Sequence, residues 1–358
     1  FGMGSVEMTA SIRLEADRAH RFVLECDGAH KQWVHGAQIG LALVDQEDPI
    51  RAAVDIAQEC DVAVVVVGTT DDWESEGHNR STLVLPGRQD ELIRRVAAVN
   101  PHTVVLVNAG APVDMSWADS VASIVQIWFA GQEMGEAVVD VLLGATDPGG
   151  RLPMTVPDRI EHTPAYGNFP GEHGQIRYGE GLLIGHRWYE SRSLPVRYPF
   201  GHGLSYTTFA LDEPVLDRLD IVTDGTVEGT ESVAMRVRVT NTGQRQGSHV
   251  VQVYIAPRSP HVFRPLQELK PFAKIQLDPG RSDEVLVTIA ARDFATWDPG
   301  DVYRSTLQPH ATGEVSTRDL VHQGRWRVDP GLYDVRIGSS SVEIEHVVTL
   351  TVHEVHQA

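Results

Sequence analysis

The chain of 358 residues contains only two cysteines, Cys26 and Cys60. Two are too few for a disulfide framework, and their spacing fits neither a C-x-x-C redox pair nor a zinc knuckle, so both read as buried thiols. Positive charge is also scarce. Thirty Lys and Arg stand against 49 Asp and Glu, for a net charge of -19, with no basic cluster anywhere. That argues against nucleic acid as a partner, because a phosphate backbone is met by a basic face. No apolar run reaches the roughly 18 residues of a membrane span. No charged segment followed by an apolar stretch opens the chain as a secretory leader would, and the compartment stays open. The phosphate-binding G-x-x-x-x-G-K-[ST] is absent, as is G-x-G-x-x-G after the first strand, and so is the G-x-S-x-G of a serine hydrolase. Sixteen histidines include no H-E-x-x-H; His353-Glu354-Val355-His356 is one residue short of it. The sequence calls for no metal and no cofactor.

What is present falls into three zones. Residues 1 to about 46 alternate apolar and polar, with Val6, Met8, Ala10, Ile12 and Leu14 in period two. They read as β structure too short to make its own core, and the opening on Phe1 in mid-strand reads as a fragment or a processed chain. At Asp48-Pro49 the pattern changes to an N-cap and a first helical residue. A helix then carries Ile50, Ala53, Val54 and Ala57 on one face. The apolar run Val62 to Val67 follows, then a helix over Arg88 to Val99, a strand Val104 to Val107, a strand Ala122 to Ile127, and a helix with Met134, Ala137, Val138, Val141 and Leu142 in register. Near-continuous apolar strands alternating with amphipathic helices predict a mostly parallel α/β sheet covered on both faces. Beyond Tyr206 the period drops to two, through Val233 to Val239, Val251 to Ile255, Val285 to Ile289 and Tyr333 to Ile337. Turn signals lie between, at Asn241-Thr242-Gly243, Pro279-Gly280 and Pro330-Gly331. This predicts an immunoglobulin-like antiparallel β-sandwich, with residues 299 to 325 as a long polar surface loop.

The stretch Asp71-Asp72-Trp73-Glu74-Ser75-Glu76-Gly77-His78-Asn79-Arg80 follows directly on the first apolar strand. Chemistry in open α/β sheets gathers where loops leave the carboxyl ends of the strands. Glycoside hydrolysis needs two carboxyl groups, and such a loop can supply one. Gly77 lets backbone approach a ligand closely, and Arg80 can pair with an acidic neighbour in the loop. An acidic surface loop on an acidic protein is the alternative that the residues alone leave open.

The run Asp72 to Arg80, continuing through Leu83-Val84-Leu85-Pro86-Gly87-Arg88-Gln89, resembles the acid/base loop of glycoside hydrolase family 3. Trp128-Phe129-Ala130-Gly131-Gln132-Glu133, Gly144 to Pro148, Gly150-Arg151-Leu152-Pro153 and Thr155-Val156-Pro157 are similar to segments closing that family's α/β sandwich domain. Tyr178 to Gly181, Gly185 to Tyr189 and Tyr198 to Phe209 resemble its connector. Val239 to Gly243, Val250 to Tyr254, Glu268-Leu269-Lys270, Trp297-Asp298 and Pro330 to Tyr333 resemble its fibronectin type III-like domain. The likeness runs in order from about residue 48 to 350.

It implies retaining β-glucosidase- or β-xylosidase-type hydrolysis, with Glu76 as general acid/base and Glu74 as the fallback. Trp73, His78 and Arg80 become candidate substrate-binding residues, with Trp73 placed to stack on a sugar. Asn79 departs from the Asp usual before the Arg, which puts anchoring of the loop by Arg80 in question; Asn79-Arg80-Ser81 is also a glycosylation sequon. Gly131, Gln132, Pro148 and Arg151 are expected to fix turns and domain contacts. The resemblance divides the chain into residues 1–46, the end of a protective-antigen-like β domain; 47–205, the α/β sandwich domain; and 206–358, the fibronectin type III-like domain. Nothing resembles the family's N-terminal barrel or its nucleophile motif, so the chain alone is expected to be inactive and to need that barrel in cis or in trans. The competing expectations are a non-catalytic carbohydrate-binding or interaction module, and one subunit of a split enzyme.

Overall fold

A computed structural model describes residues 10–15, 17–23, 40, 48–76, 79–227, 231–298 and 324–354. The chain divides into two compact units, one of Phe1–Ala111 with Ser116–Phe129, the other of Pro112–Met115 with Ala130–Ala358.

In the first unit, helix α1 (Pro49–Glu59) begins as the sequence predicts: Asp48 is extended and its carboxylate accepts from the Ile50 N–H at 3.2 Å, with Pro49 in the first turn. Strand β1 (Ala63–Gly68), helix α2 (Gln89–Val99), strand β2 (Thr103–Asn108) and strand β3 (Ser123–Gln126) follow. Asn100, which caps α2, is buried and also ends α1. Its Nδ2 donates to Ala57 O at 2.9 Å and Cys60 O at 2.8 Å, while its Oδ1 accepts from the His102 N–H at 2.9 Å. One side chain thus satisfies carbonyls that a helix end leaves without partners. The strands form a parallel sheet in the order β1-β2-β3, with Ala63 opposite Thr103, Gly68 opposite Asn108 and Val104 opposite Ser123.

Three expectations need correction here. Cover on both faces was predicted, but only Ala63, Val65 and Val67 of β1 are buried, while Val64 and Val66 are 49% and 60% exposed. Within this unit α2 packs on β1 and β2 with α1 beside it, which accounts for the buried face alone; the next helix along the chain is α3 (Met134–Leu142). Cys60, read as a buried thiol, is exposed just past the end of α1; Cys26 lies outside the described residues. Residues 10–15 and 17–23, from the expected N-terminal β remnant, carry no strand and are exposed. The rest of that remnant lies outside the described residues.

The second unit holds α3, a two-stranded ladder of β4 (Val156–Pro157) and β5 (Val196–Tyr198), helix α4 (His186–Ser191), and a sandwich. The sandwich strands are β6 (Phe209–Leu211), β7 (Val215–Leu216), β8 (Asp220–Thr223), β9 (Ser232–Asn241), β10 (Gly247–Pro257), β11 (Glu268–Leu277), β12 (Ser282–Ala290), β13 (Ala295–Asp298), β14 (Arg325–Val328), β15 (Gly331–Gly338) and β16 (Ile344–Glu354). One sheet runs β11-β10-β15-β16-β8, the other β12-β9-β6 with β7 also on β9, and β13 pairs separately with β14. Period-two residues Val233, Met235, Val237 and Val239 of β9 meet Val251, Val253, Ile255, Val335 and Ile337 in a fully buried core. This is the predicted immunoglobulin-like sandwich. Most of the expected 299–325 loop, residues 299–323, lies outside the described residues.

Gln252 interrupts the apolar run of β10 and is itself 2% exposed. Its amide donates to Gly201 O at 3.0 Å and Ser339 O at 2.5 Å, and its carbonyl accepts from the Tyr254 hydroxyl at 2.7 Å. Gly201 sits at φ +82°, and a Cβ there would overlap the Gln252 amide, so glycine is required on both counts. Asp147 makes a second fastening: it accepts from Ser205 Oγ at 2.6 Å and from the backbone N–H groups of Tyr206 and Ser248, both at 2.9 Å. These bonds join the segment preceding the sandwich to the sandwich itself.

Candidate active site

The loop between β1 and α2 is closed at its base. The Gly68 N–H donates to Gln89 Oε1 at 2.7 Å, and Gln89 Nε2 donates back to Gly68 O at 2.9 Å and to Pro86 O at 3.0 Å. Gly68 runs so close to β2 that a Cβ would overlap Asn108 O. Leu85, 2% exposed, anchors the loop's return leg. Beyond Gly87 (φ +64°), Arg88 bridges Asp48 at 2.9 Å and Glu91 at 2.8 Å. The Arg88 guanidinium holds both the Asp48 and Glu91 carboxyls below their usual range.

Past β1 the chain makes one helical turn, with the N–H groups of Trp73 and Glu74 donating to Thr70 O at 2.9 and 2.8 Å. The turn aims Glu74 back at the sheet. Glu74 Oε1 accepts from Thr69 Oγ1 at 2.5 Å and from the Gly110 N–H at 3.2 Å. Gly110 follows β2, so Glu74 ties the carboxyl ends of two adjacent strands. A Cβ at 110 would lie 2.9 Å from Glu74 Oε2 and 3.0 Å from the Phe129 ring. The half-buried Arg80 has its pKa lowered by burial, opposed by the Glu74 charge. The acidic neighbour anticipated for Arg80 is therefore Glu74. Trp73 is half-buried, and its indole N–H has no hydrogen-bond partner among the described residues. Glu76 is exposed; His78 and Gly77 lie outside the described residues.

Of the sequence candidates, then, Glu74 and Arg80 come together at the base of the loop, Trp73 packs partly against it, and Glu76 faces outward. Thr69 and Gly110 escaped the sequence reading. A signal existed for Gly110, since Asn108-Ala109-Gly110 is a glycine-containing exit from the strand next to β1, at the same end of the sheet. Among the described residues no group of three or more His, Cys, Asp or Glu is placed to hold a metal ion. No helix of the described residues is long and apolar enough to cross a membrane.

A second cluster of titratable groups lies in the other unit. A cavity of about 190 Å³ is lined by Thr155, His186, Tyr189, Glu190 and Ser341, among others. Burial pushes the Glu190 carboxyl up to about 7, against the lowering effect of its bonds to Ser341 and Gln267. Burial also pulls the imidazole of His186 down to about 4, and His186 stacks on Phe200 with ring centroids 4.6 Å apart.

The described residues thus combine a parallel sheet, whose first strand runs into an acidic loop, with an immunoglobulin-like sandwich further along the chain. The model of the glycosyl hydrolase family 3 C-terminal domain matches residues 2–206, and that of the fibronectin type III-like domain matches residues 249–341. The chain belongs to glycosyl hydrolase family 3. A β-glucosidase of Rhizobium radiobacter is 35% identical over 98% of this chain and 40% of its own length; a probable β-glucosidase I of Emericella nidulans is 37% identical over 83% of this chain and 36% of its own. Among solved structures, the Kluyveromyces marxianus β-glucosidase in complex with glucose superposes with a TM-score of 0.74 at 35% identity, over 87% of this chain and 34% of that one. A Bifidobacterium adolescentis family 3 β-glucosidase gives 0.71 at 35% identity, over 86% and 42%. The chain thus spans about two fifths or less of the length of these relatives.

Proposed function

We propose that this chain supplies the general acid/base of a retaining β-glycosidase of the β-glucosidase kind, with Glu76 in that role and the nucleophilic carboxylate on a barrel domain provided in cis or in trans. One observation carries the reading: Glu76 is a glutamate left exposed, as Asp71 and Asp72 are, on a loop whose base is fastened by Gln89, Leu85 and the Glu74 bridge to Gly110. Such a loop holds an acid at a fixed height above the sheet end and leaves it free to reach a substrate bound elsewhere. In the first step neutral Glu76 gives its proton to the glycosidic oxygen as the nucleophile bonds to the anomeric carbon and the aglycone leaves. In the second, Glu76 as carboxylate takes a proton from water, and that water displaces the nucleophile. In this scheme Trp73 stacks on a sugar toward the leaving-group side, His78 is a further substrate-binding residue, and Arg80 with Glu74 steadies the loop. Residues 47–205 are the α/β sandwich domain in this scheme, 206–358 the fibronectin type III-like domain, and 1–46 the end of a protective-antigen-like insert.

A retaining pair sits only about 5 Å apart, so Glu76 without its nucleophile turns nothing over. The test is hydrolysis of aryl β-glucoside and β-xyloside by the chain alone, by the chain mixed with a family 3 barrel, and by the mixture carrying Glu76→Gln. Activity that appears on mixing and disappears in Glu76→Gln is the expected result. Turnover by the chain alone, undiminished in Glu76→Gln, overturns the assignment.

A further inference from the structure

The three strands of the parallel sheet end side by side, and the residues just past β2 and β3 meet the loop that follows β1. Gln126, the last residue of β3, donates from Nε2 to Ala109 O at 2.7 Å, and the Ile127 N–H donates to Val107 O at 2.9 Å. Past that tie the chain turns through Trp128 at φ +55°, a left-handed conformation that strains a bulky residue. The turn delivers Phe129 to Gly110. A Cβ built on Gly110 would lie 3.0 and 3.2 Å from Cε2 and Cδ2 of Phe129, and 2.9 Å from Glu74 Oε2. The edge of the ring and the Glu74 carboxylate therefore flank the same point beside Gly110, whose N–H donates to Glu74 Oε1 at 3.2 Å.

We infer that Phe129 is a positioning residue for the acid/base loop: its ring confines the Glu74 carboxylate to the Gly110 N–H, and Glu74 in turn sets the place of Glu76. The bond from Gly110 is long and exposed, and one such bond does little against the rotamer freedom of a glutamate side chain. A ring that takes up the space into which the carboxylate would swing does more. Gln126 completes the arrangement by tying the exit of β3 to the residue before Gly110. From Glu74 the constraint reaches Glu76 across a single residue, Ser75, whose hydroxyl oxygen is buried. The ring is not there to fill a core, since Phe129 is 50% exposed. The left-handed backbone at Trp128 is an independent sign, because such strain persists where the surrounding structure over-determines the path of the chain, and it gathers at functional sites. The inference rests on the reading of Glu76 as the general acid and deepens it; the role assigned to Phe129 needs no contact with substrate.

The experiment measures kcat/KM of the chain mixed with a family 3 barrel on methyl β-glucoside and on 2,4-dinitrophenyl β-glucoside, which share a sugar and differ in leaving group. Methoxide needs a proton as it departs and dinitrophenolate does not, so an acid held out of place harms only the first reaction. Phe129→Ala should lower kcat/KM about tenfold on the methyl glucoside, part of the roughly 10²- to 10⁴-fold that a general acid contributes, and less than about twofold on the dinitrophenyl glucoside. Phe129→Leu, which keeps bulk where the ring was, should recover most of the loss, and thermal melts establish that both variants are folded. In the chain alone, hydrogen exchange at the Gly110 amide should be about threefold or more faster in Phe129→Ala. That measurement needs neither barrel nor turnover. An equal loss on both glucosides, no loss on either, or a Gly110 amide that exchanges at its unaltered rate overturns the inference. If Glu76→Gln spares hydrolysis of the methyl glucoside, the acid/base reading falls and the role of Phe129 with it, whereas an unchanged Gly110 amide removes the role of Phe129 and leaves that reading standing.

Discussion

Glu74 and Glu76 are two residues apart, and the structure gives them opposite circumstances, which a single pair of substitutions can exploit. Glu74→Ala removes an acceptor used by Thr69 Oγ1 at 2.5 Å and by the Gly110 N–H at 3.2 Å. Bonds to a charged acceptor contribute about 1.5 to 3 kcal/mol each when buried. Glu74 is only half-buried, so the low end applies, and the longer bond to Gly110 counts for less. The expected loss is about 2 kcal/mol, with the half-buried Arg80 also deprived of its nearby countercharge. Glu74→Gln keeps a carbonyl for both donors and forfeits only the charge, so about 1 kcal/mol is expected. Urea unfolding gives both numbers, and hydrogen exchange at the Gly110 amide reads the bridge directly. That amide should exchange faster in Glu74→Ala and nearly normally in Glu74→Gln. With a barrel present, Glu74→Gln should retain most of the reconstituted hydrolysis that Glu76→Gln abolishes. The reasoning fails if Glu74→Ala leaves both the urea midpoint and the Gly110 amide unchanged. If Glu74→Gln abolishes hydrolysis while Glu76→Gln spares it, the two carboxylates have exchanged roles.

Two further outcomes follow from the geometry. Glu190 titrates near 7 in the folded chain and near 4.5 when unfolded, so the unfolded state gives up its proton first and stability falls as pH rises from 4.5 to 7, by about 3 kcal/mol in all. His186 has the opposite sense: its folded value near 4 lies below the unfolded 6.5, so its contribution is complete above pH 6.5 and is lost as pH falls toward 4. Between pH 4.5 and 6.5 the two contributions oppose each other, so the melting temperature of Glu190→Gln should rise more steeply with pH over that window than that of the unaltered chain, and should not fall between 6.5 and 7; an unchanged profile would refute the role of Glu190. Gly68→Ala places a Cβ into Asn108 O and should cost about 2 kcal/mol or more by parting β1 from β2. A crystal structure of the variant with the Gly68–Asn108 register intact and wild-type stability would count against that close approach.

Local signals in the sequence were read well where one residue does a local job. Asp48-Pro49 announces a helix start because a short acceptor beside a fixed φ has few other uses, and the alternation in β9 and β10 announces buried faces because strand side chains repeat every second residue. The locations of the loop after β1 and of its two carboxylates were equally legible. The tie that Glu74 makes was not, because its partner Gly110 lies thirty-six positions away, and no periodicity encodes a pairing at that range. Cys60 was misjudged for a similar reason: composition favours burial of a thiol, while the residue falls where the chain has just left α1. The uncovered Val64 and Val66 mislead in the same way, since an apolar strand reads identically whether or not a helix lies over it. Gln252 offered a signal that went unused, a lone polar residue within Val250-Val251-Gln252-Val253-Tyr254 that burial obliges to find partners on both sides.

The placement of β8 bears on how the sandwich comes together during synthesis. It sits at the edge of its sheet, and its one neighbour there is β16, with Asp220 paired to Thr351 and Ile221 to Val352. Ile221 is fully buried. A nascent chain that has released β8 from the ribosome must therefore hold an unpaired apolar strand through the translation of β9 to β15, and the loop closed at the end is among the longest in the protein. Ladders of such separation form slowly and late. Interrupting synthesis before β16 would leave that strand open to association with other chains.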